Sequence, residues 1–318
     1  MTKYPVIIDC DPGIDDAVAL SLAFSARDEL KILAITTVAG NVPLELTARN
    51  ARIMRQLAGR EDVPIYAGCS VAMEREPVFA EEFHGEDGLE GIEPFEPKVP
   101  LGEGHAVTNI VDVIRNSSEP VQVIATGPLT NIAGALMMAP EIGSNISELV
   151  LMGGADTEGG NITPFAEFNI FADPHAAALV FDRYFRDGTA PPITVFSLDF
   201  THTVRNTPER IDAVRRCGGR LAAPTANLLI AINKFEKKMV GTGTGPLHDP
   251  CTVAYALVPD MFSYRTGRVD VVTQKGERFG QTRFENQARG VKWITSTPGE
   301  DVSEKIYQLI IDRIGSYV

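Results

Sequence analysis

The sequence contains only four cysteines among 318 residues, and no two of them form a CxxC pair. Scattered cysteines of this kind indicate free thiols in a reducing compartment, not a disulfide framework or a zinc site. No apolar run reaches the roughly 18 residues that a membrane-spanning helix requires. The first residues lead directly into the strand-like segment VIIDCD, so we expect no secretory signal peptide.

Positive charge is also scarce, since 29 lysines and arginines are outnumbered by 42 aspartates and glutamates and the formal net charge is −13. A protein that binds the phosphate backbone needs a basic face, so this balance argues against a nucleic-acid partner. Hydrophobic residues make up 44% and charged residues 22%, which excludes a disordered chain and a coiled coil. We therefore expect a soluble, acidic, cytoplasmic protein that binds neither nucleic acid nor membrane.

Short β-branched runs alternate with helical patterns along most of the chain. We predict strands at residues 5–9, 31–38, 63–66, 121–126, 148–153 and 193–198, and helices at 15–25, 44–57, 106–115, 129–138 and 174–181. The strands are almost continuously hydrophobic, as expected when helices cover both faces of a sheet. The pattern predicts an open, Rossmann-like α/β fold with a mostly parallel central sheet, whose ligands bind at the carboxyl ends of the strands.

Two stretches interrupt this alternation. Residues 70–104 are rich in proline and acidic residues and show no periodicity, which is typical of a functional loop, and we interpret them as a lid. Residues 241–250, GTGTGPLHDP, lack the spacing of a phosphate-binding loop and are interpreted as a flexible hinge. Because no composition shift marks a boundary, we expect residues 1–318 to form a single domain.

The most informative segment follows the first predicted strand, where four aspartates stand within eight residues: Asp9, Asp11, Asp15 and Asp16. Carboxylates this close repel one another and hold protons more tightly, and a hard divalent cation with oxygen ligands relieves that conflict. An EF-hand starting at Asp9 is excluded, because Gly13 and Leu20 stand where it needs ligands.

Other interpretations of this cluster stay open. Asp15 or Asp16 could be only a helix cap, and Asp9 only a structural hydrogen-bond acceptor. Asp-x-Asp after a first strand also resembles the magnesium-dependent phosphatases of the haloacid dehalogenase type, in which the first aspartate is the nucleophile. Gly13 departs from their usual pattern, so this function is the alternative.

Five short motifs occur in order along the chain: DCDPGIDDA at 9–17, GNV at 40–42, ATGPLTN at 125–131, EFN at 167–169 and PLHDP at 246–250. With this order and spacing, the chain resembles the inosine-uridine-preferring nucleoside hydrolases from about residue 5 to residue 258. The resemblance implies hydrolysis of the N-glycosidic bond of small-molecule ribonucleosides to ribose and free base, with a calcium ion at the end of the first strand. A homodimer or homotetramer is the expected assembly. A non-catalytic binder of nucleosides or ribose is a further alternative to the hydrolase.

The resemblance also implies roles for individual residues. It assigns calcium binding to Asp11, Asp16, Asp249 and the backbone carbonyl of Thr126, and makes Asp11 the general base that deprotonates a calcium-bound water. It assigns the ribose hydroxyls to Asp15, Asn41, Asn161, Glu167 and Asn169. Since ribose offers only hydroxyls, and its ring gains positive charge as the bond breaks, a site rich in carboxylates and amides suits this chemistry. For Asn41, Asn161 and Glu167, a turn, a loop amide and a solvated acid are the competing interpretations.

Two of the five histidines lie in matching positions. His248 resembles the proton donor to the leaving base, and His84, in the predicted lid, resembles a residue that faces the base. The sequence has one tryptophan, Trp293, outside the motifs, which disfavours the purine-specific class that stacks the base between tryptophans. Phe235 stands where pyrimidine-preferring members often carry tyrosines, so the base preference stays open.

Overall fold

The computed structural model describes residues 3–186, 190–295 and 301–318. Its strands are β1 (Tyr4–Cys10), β2 (Leu30–Thr37), β3 (Ile65–Ala67), β4 (Val121–Ala125), β5 (Ile146–Met152), β6 (Ile193–Phe196), β7 (Ser263–Val271), β8 (Thr282–Asn286) and β9 (Val291–Thr295). Its α-helices are α1 (Ile14–Ser25), α2 (Leu44–Ala58), α3 (Glu81–His84), α4 (Ala106–Asn116), α5 (Thr130–Met138), α6 (Phe168–Ala172), α7 (Pro174–Arg186), α8 (Leu198–Thr201), α9 (Pro208–Arg216), α10 (Ala222–Met239), α11 (Pro250–Leu257) and α12 (Val302–Ser316).

The described strands form one sheet in the order β3-β2-β1-β4-β5-β6-β9-β7-β8. All pairs from β3 to β9 are parallel, and β7 runs antiparallel to both β9 and β8. The chain order reverses at β1, which lies between β2 and β4, with Asp9 opposite Ala125. The carboxyl ends of β1 and β4 therefore form a topological switch point, where parallel sheets bind their ligands.

Helices pack on both faces of the sheet because alternate residues of β1 point to opposite sides. Val6 and Ile8 pack in a core with α1, α2 and α9–α12, while Ile7 packs in a second core with α4, α5 and α7. All twelve residues of α1 are buried, which explains why its apolar residues follow no single face. Within the described ranges, no helix combines the length and apolar character needed to cross a bilayer.

The predicted fold class is confirmed, and the six predicted strands and five predicted helices all form, with bounds shifted by a few residues. The prediction did not include the antiparallel edge formed by β7 and β8. Their residues are largely half-buried or exposed, so they lack the continuous hydrophobic run that marks a central strand. Helices α9, α10 and α12 were also not predicted.

Residues 70–104 contain one short helix, α3, and are otherwise irregular. Side chains of α2 hold this segment, because Asn50 donates to the carbonyl of Asp87 and Arg55 donates to the carbonyls of Val99 and Pro100. The segment is thus fixed at several points along its length. Its action as a lid, and the single-domain organisation, stay predictions.

Candidate active site

The site begins where β1 ends and α1 starts. The cap of α1 is Gly13, which has no side chain to satisfy the first helical N–H groups. The carboxylate of Asp16, in the first turn of the helix, accepts a hydrogen bond from the N–H of Gly13 itself at 3.1 Å. It also accepts from the Asn41 side-chain amide at 3.0 Å and from the Thr126 hydroxyl at 2.7 Å. Three donors from three segments therefore fix this fully buried carboxylate.

Three aspartates from two distant segments meet at this point. One carboxylate oxygen each of Asp15, Asp16 and Asp249 lies within 4.8 Å of the other two, and all three residues are buried. Asp249 comes from the start of α11, which contacts α1. The structure thus brings together Asp16 and Asp249, two of the predicted metal ligands, and adds Asp15, which was predicted to bind ribose.

Asp11 is fully buried beside this cluster. Its Oδ2 accepts a hydrogen bond from the Asn41 N–H at 2.7 Å, while its Oδ1 has no hydrogen-bond partner within the described part of the chain. A Cβ at Gly40 would collide with this carboxylate, and one at Gly127 would lie 2.7 Å from Oδ1. Glycines at both positions let the backbone enclose a carboxylate that keeps one free oxygen, as a metal ligand requires.

The raised pKa values of the clustered carboxyl groups also favour a metal site. Burial, followed by repulsion from Asp16, raises the pKa of Asp15 to about 7. Burial, followed by repulsion from Asp16, also holds the pKa of Asp11 well above the ordinary range. Burial, followed by repulsion from Asp15, does the same for the pKa of Asp249. Such a cluster either keeps protons or binds a cation. Its buried carboxylates, with one free oxygen on Asp11, fit a metal ion.

Two of the predicted ribose-binding amides lie at the cluster. Asn41 is buried and donates from its side chain to the Asp11 carbonyl at 3.1 Å. Asn169, also buried, donates to the Thr126 carbonyl at 2.7 Å and to the Met152 carbonyl at 3.1 Å. The carbonyl of Thr126, a predicted metal ligand, is thus placed at the end of β4 with one of its two lone pairs in use.

Glu167 and Asn161 support the loop that precedes α6. The buried Glu167 carboxylate accepts from the backbone N–H groups of Gly154, Asn169 and Ile170 at 2.9–3.1 Å, and burial raises its pKa to about 7. Asn161 is exposed, and its side chain accepts from the Phe168 N–H at 2.9 Å. Both residues cap local structure, and their contact with ribose stays a prediction.

His84 reaches the site from the segment 70–104. Its Nδ1 accepts a hydrogen bond from the Ile14 N–H at 3.0 Å, so it supplies the cap that Gly13 cannot give to α1. A Cβ at position 13 would collide with this ring, which explains the glycine. Burial lowers the pKa of His84 to about 3, so the ring is neutral at pH 7 and carries its proton on Nε2.

His248 lies just before Asp249, the residue that precedes α11. Its Nδ1 is 2.7 Å from the Thr201 hydroxyl, and its ring centroid is 5.6 Å from that of His202. Burial, with smaller contributions from His202 and His84, lowers the pKa of His248 to about 3. The ring is therefore neutral at pH 7 and has one proton to offer as a hydrogen bond.

The residues that hold Asp9 had no predicted role. Its Oδ1 accepts from the Thr36 hydroxyl at 2.5 Å and from the Asn131 side-chain amide at 2.8 Å. Asn131 also donates to the Thr37 carbonyl and accepts from the Cys69 N–H. Asn131 lies inside the motif ATGPLTN and is buried at the start of α5. Its place in that motif was the feature of the sequence that could have indicated this contact with Asp9. Asp9 thus ties β1 to β2 and α5, in agreement with a structural acceptor.

A cavity of about 800 Å³ lies away from this cluster, between residues 85–94 and the start of α10. None of the clustered aspartates or of the two histidines lines it. Its walls are formed by Leu57, loop residues including Glu86 and Glu90, and Ala223, Pro224 and Asn227 of α10. The candidate active site is the group of carboxylates, and this cavity is separate from it.

Comparisons with known proteins identify the relatives of this chain. The sequence matches the family described as inosine-uridine preferring nucleoside hydrolase over residues 6–304. The pyrimidine-specific ribonucleoside hydrolase RihA of Photobacterium profundum is 39% identical over 315 residues, which cover 98% of this chain and 99% of that protein.

Two solved structures are similar over nearly their whole length. A plant nucleoside hydrolase, PpNRh1, superposes with a TM-score of 0.88 at 28% identity and covers 99% of this chain and 100% of its own. A purine-preferring ribonucleoside hydrolase from Gardnerella vaginalis gives a TM-score of 0.87 at 28% identity, with 98% of each chain covered. These similarities give no support to a phosphatase or a non-catalytic binder. The chain belongs to the inosine-uridine preferring nucleoside hydrolase family.

Proposed function

We propose that this protein hydrolyses the N-glycosidic bond of ribonucleosides, with Asp11 as general base and a calcium ion held at the end of β1. The observation that carries the proposal is the buried group of Asp15, Asp16 and Asp249 beside the free oxygen of Asp11, at the switch point of the sheet. Family membership agrees with this activity.

The donor set favours calcium among the metals. We propose Asp11, Asp16, Asp249 and the Thr126 carbonyl as its ligands, all of them oxygens, and hard cations prefer oxygen while zinc prefers nitrogen and sulfur. Asp15 lies within ligand distance of the same group, so it either joins the ligands or binds a ribose hydroxyl next to them. When bound, the ion would lower the pKa of a coordinated water.

Each group of side chains has its own role in the proposed reaction. The C1′–N bond breaks, its electron pair goes to the base nitrogen, and a C1′–O bond forms with water, whose proton Asp11 accepts. Carboxylates beside the sugar stabilise the positive charge that develops on its ring. The proton that Asp11 takes from water is balanced by one that the departed base takes up from solvent, and the neutral His248 ring donates a hydrogen bond to the nitrogen on which negative charge develops.

We further propose pyrimidine ribonucleosides as the better substrates. Trp293 is fully buried in β9 against Phe284, so it is not available to stack on a base. Phe235 of α10 packs edge to face on Phe83, with ring centroids 4.2 Å apart, next to His84. The relative RihA, 39% identical, is named as pyrimidine-specific.

A panel of ribonucleosides assayed for release of reducing sugar tests both proposals. We expect sugar release from uridine and cytidine at a higher kcat/KM than from inosine, and none of the activity on p-nitrophenyl phosphate that a phosphatase would show. Binding of uridine without sugar release would instead identify a non-catalytic binder. Faster cleavage of inosine would overturn only the base preference.

Removal of one ribose hydroxyl is expected to reduce activity strongly. The sugar would lie among buried polar groups such as Asn41 and Asn169, and a missing hydroxyl leaves its partners unpaired at roughly 1–3 kcal/mol. The kcat/KM for deoxyuridine should therefore be about 5- to 150-fold lower than for uridine. Equal values for the two substrates would contradict ribose recognition by this cluster.

The metal-free protein is expected to lose stability as the pH rises from about 4 to 7. Burial raises the pKa of Asp9, Asp15 and Glu167 to about 7, from 3.8 or 4.5. In this window the folded state holds protons that the unfolded state has released. Each group therefore lowers the free energy of unfolding by up to ~1.4 kcal/mol for each pH unit of increase.

Thermal unfolding at pH 5–8, with chelator and with calcium, measures this effect. The melting temperature with chelator should fall as the pH rises, and calcium should raise it most at pH 8, where the clustered carboxylates are most readily ionised. A chelated protein whose melting temperature rises steadily towards pH 8 would show that these carboxyls are not held protonated.

A further inference from the structure

We infer that Thr201 is a positioning residue for the reaction, because its hydroxyl donates to Nδ1 of His248 and so places the only proton of that ring on Nε2. This inference rests on the proposed function of His248. Thr201 is fully buried at the end of α8, and its Oγ1 is 2.7 Å from Nδ1. No motif in the sequence marks this residue.

The direction of the hydrogen bond follows from the surroundings of the hydroxyl. Among the described residues, His248 Nδ1 is the sole hydrogen-bond partner of Thr201 Oγ1. If Nδ1 carried the proton, the hydroxyl hydrogen would be buried without an acceptor, which costs about 1–3 kcal/mol. The hydroxyl therefore donates, Nδ1 accepts, and the neutral ring keeps its proton on Nε2.

The position of Thr201 is itself fixed by the sheet. Helix α8 follows β6 directly, and the Thr201 N–H donates to the Ser197 carbonyl at 3.0 Å. On the same helix, Asp199 accepts hydrogen bonds from the N–H groups of Asp156 and Thr157 at 2.7 Å, and these bonds anchor α8 to the loop that follows β5. A hydroxyl held in this way restricts rotation of the His248 ring.

The second histidine of the site shows the same arrangement with a different donor. His84 Nδ1 accepts from the Ile14 N–H, a group that can only donate, so its proton also lies on Nε2. In both rings Nδ1 is occupied by a donor of the protein, so the N–H that each ring can offer to a leaving base is Nε2–H.

The test uses two substitutions that leave the shape of the site almost unchanged. Thr201→Val keeps the branched side chain but removes the hydroxyl, and Thr201→Ser keeps the hydroxyl. We expect Thr201→Val to lower kcat/KM for uridine at least about 10-fold, a part of the ~100- to 10,000-fold that an acid or hydrogen-bond donor contributes. Thr201→Ser should stay within about threefold of the unchanged protein.

A p-nitrophenyl riboside separates positioning from a structural role. Nitrophenolate is a stable anion and leaves without help, so Thr201→Val should hydrolyse this riboside at the original rate. An equal loss on both substrates, or a serine variant as impaired as the valine variant, would overturn the inference. If the unchanged protein releases sugar from neither substrate, the proposed function fails on its own, apart from any effect of Thr201.

Nitrogen NMR of protein labelled with ¹⁵N-histidine tests the proton position without activity. Five histidines give few signals, and the His248→Ala variant identifies the one of interest. We expect an unprotonated Nδ1 and a protonated Nε2 at pH 7, and a mixture of both forms in Thr201→Val. A protonated Nδ1 in the unchanged protein would overturn the inference.

Discussion

Asp249→Asn is expected to remove the bound calcium and to lower kcat/KM for uridine by at least about 1,000-fold, or ~4 kcal/mol of transition-state stabilisation. The substitution replaces a buried carboxylate that lies within 4.8 Å of Asp15 and Asp16 by a neutral amide of the same shape. A neutral ligand attracts a divalent cation much less, and the bound ion would supply the activated water. Elemental analysis after dialysis should find about one calcium per unchanged chain and almost none in the variant.

The same substitution is expected not to harm the fold. Burial and repulsion from Asp15, Asp16 and Asp11 hold the pKa of Asp249 well above its ordinary range. A neutral amide at this position removes that repulsion, so the chelated variant should melt at the same temperature as the chelated parent or higher. This result separates loss of metal from unfolding. Asp112→Asn, on the exposed face of α4, is the matched control and should keep both calcium and activity.

Three outcomes would contradict the calcium site. A variant that keeps stoichiometric calcium would show that Asp249 is not a necessary ligand. Full activity of the unchanged protein after thorough chelation, with no metal found by analysis, would show that hydrolysis needs none. Zinc in place of calcium would show that the oxygen-only donor set does not determine the metal.

The sequence predicts the parts of this protein that depend on residues close together in the chain. Strands β1 to β6 are short hydrophobic runs, and parallel order follows from their alternation with helices. The aspartates at 9–16 stand within eight residues that span the end of β1 and the start of α1, so their proximity is evident from the sequence alone. The meeting of this group with Asp249 came from the order of family motifs, since nothing local connects residues 16 and 249.

The remaining features depend on contacts between distant residues that no local pattern records. His84 caps α1 from 70 positions away, and Thr201 orients a ring 47 positions away. Glu167 was predicted to bind ribose because the motif EFN resembles one of the family, and that contact stays a prediction. The structure adds three hydrogen bonds that its carboxylate accepts from backbone N–H groups, including that of Gly154, 13 positions away.

The strands β7 and β8 were missed for a different reason. An edge of a sheet has no second layer to cover it fully, so its strands need no continuous hydrophobic run. In β8 only Thr282 is buried, and its hydroxyl bonds to both the N–H and the carbonyl of Ala155. This edge therefore supports the loop behind the site, although its sequence is that of an exposed segment.

His248→Ala is expected to impair hydrolysis of uridine and inosine by about 100- to 10,000-fold while it spares a p-nitrophenyl riboside. A pyrimidine or purine anion is a poor leaving group, so a hydrogen bond to the base nitrogen lowers the barrier. Nitrophenolate is stable without that bond. Steady-state kcat/KM for both kinds of substrate, measured on protein of known calcium content, gives the comparison.

The main competing explanation is a disturbed metal site, because His248 precedes Asp249, and that disturbance would depress both substrates together. His202→Ala is the matched control, since its ring lies 5.6 Å from that of His248 and pairs with the outer residue Glu158. It should change neither rate by more than about threefold. If His248→Ala lowers both rates equally with calcium still bound, His248 organises the site and does not assist the leaving group. His84, which also presents Nε2–H, then becomes the candidate donor, and His84→Ala should show the split between substrates.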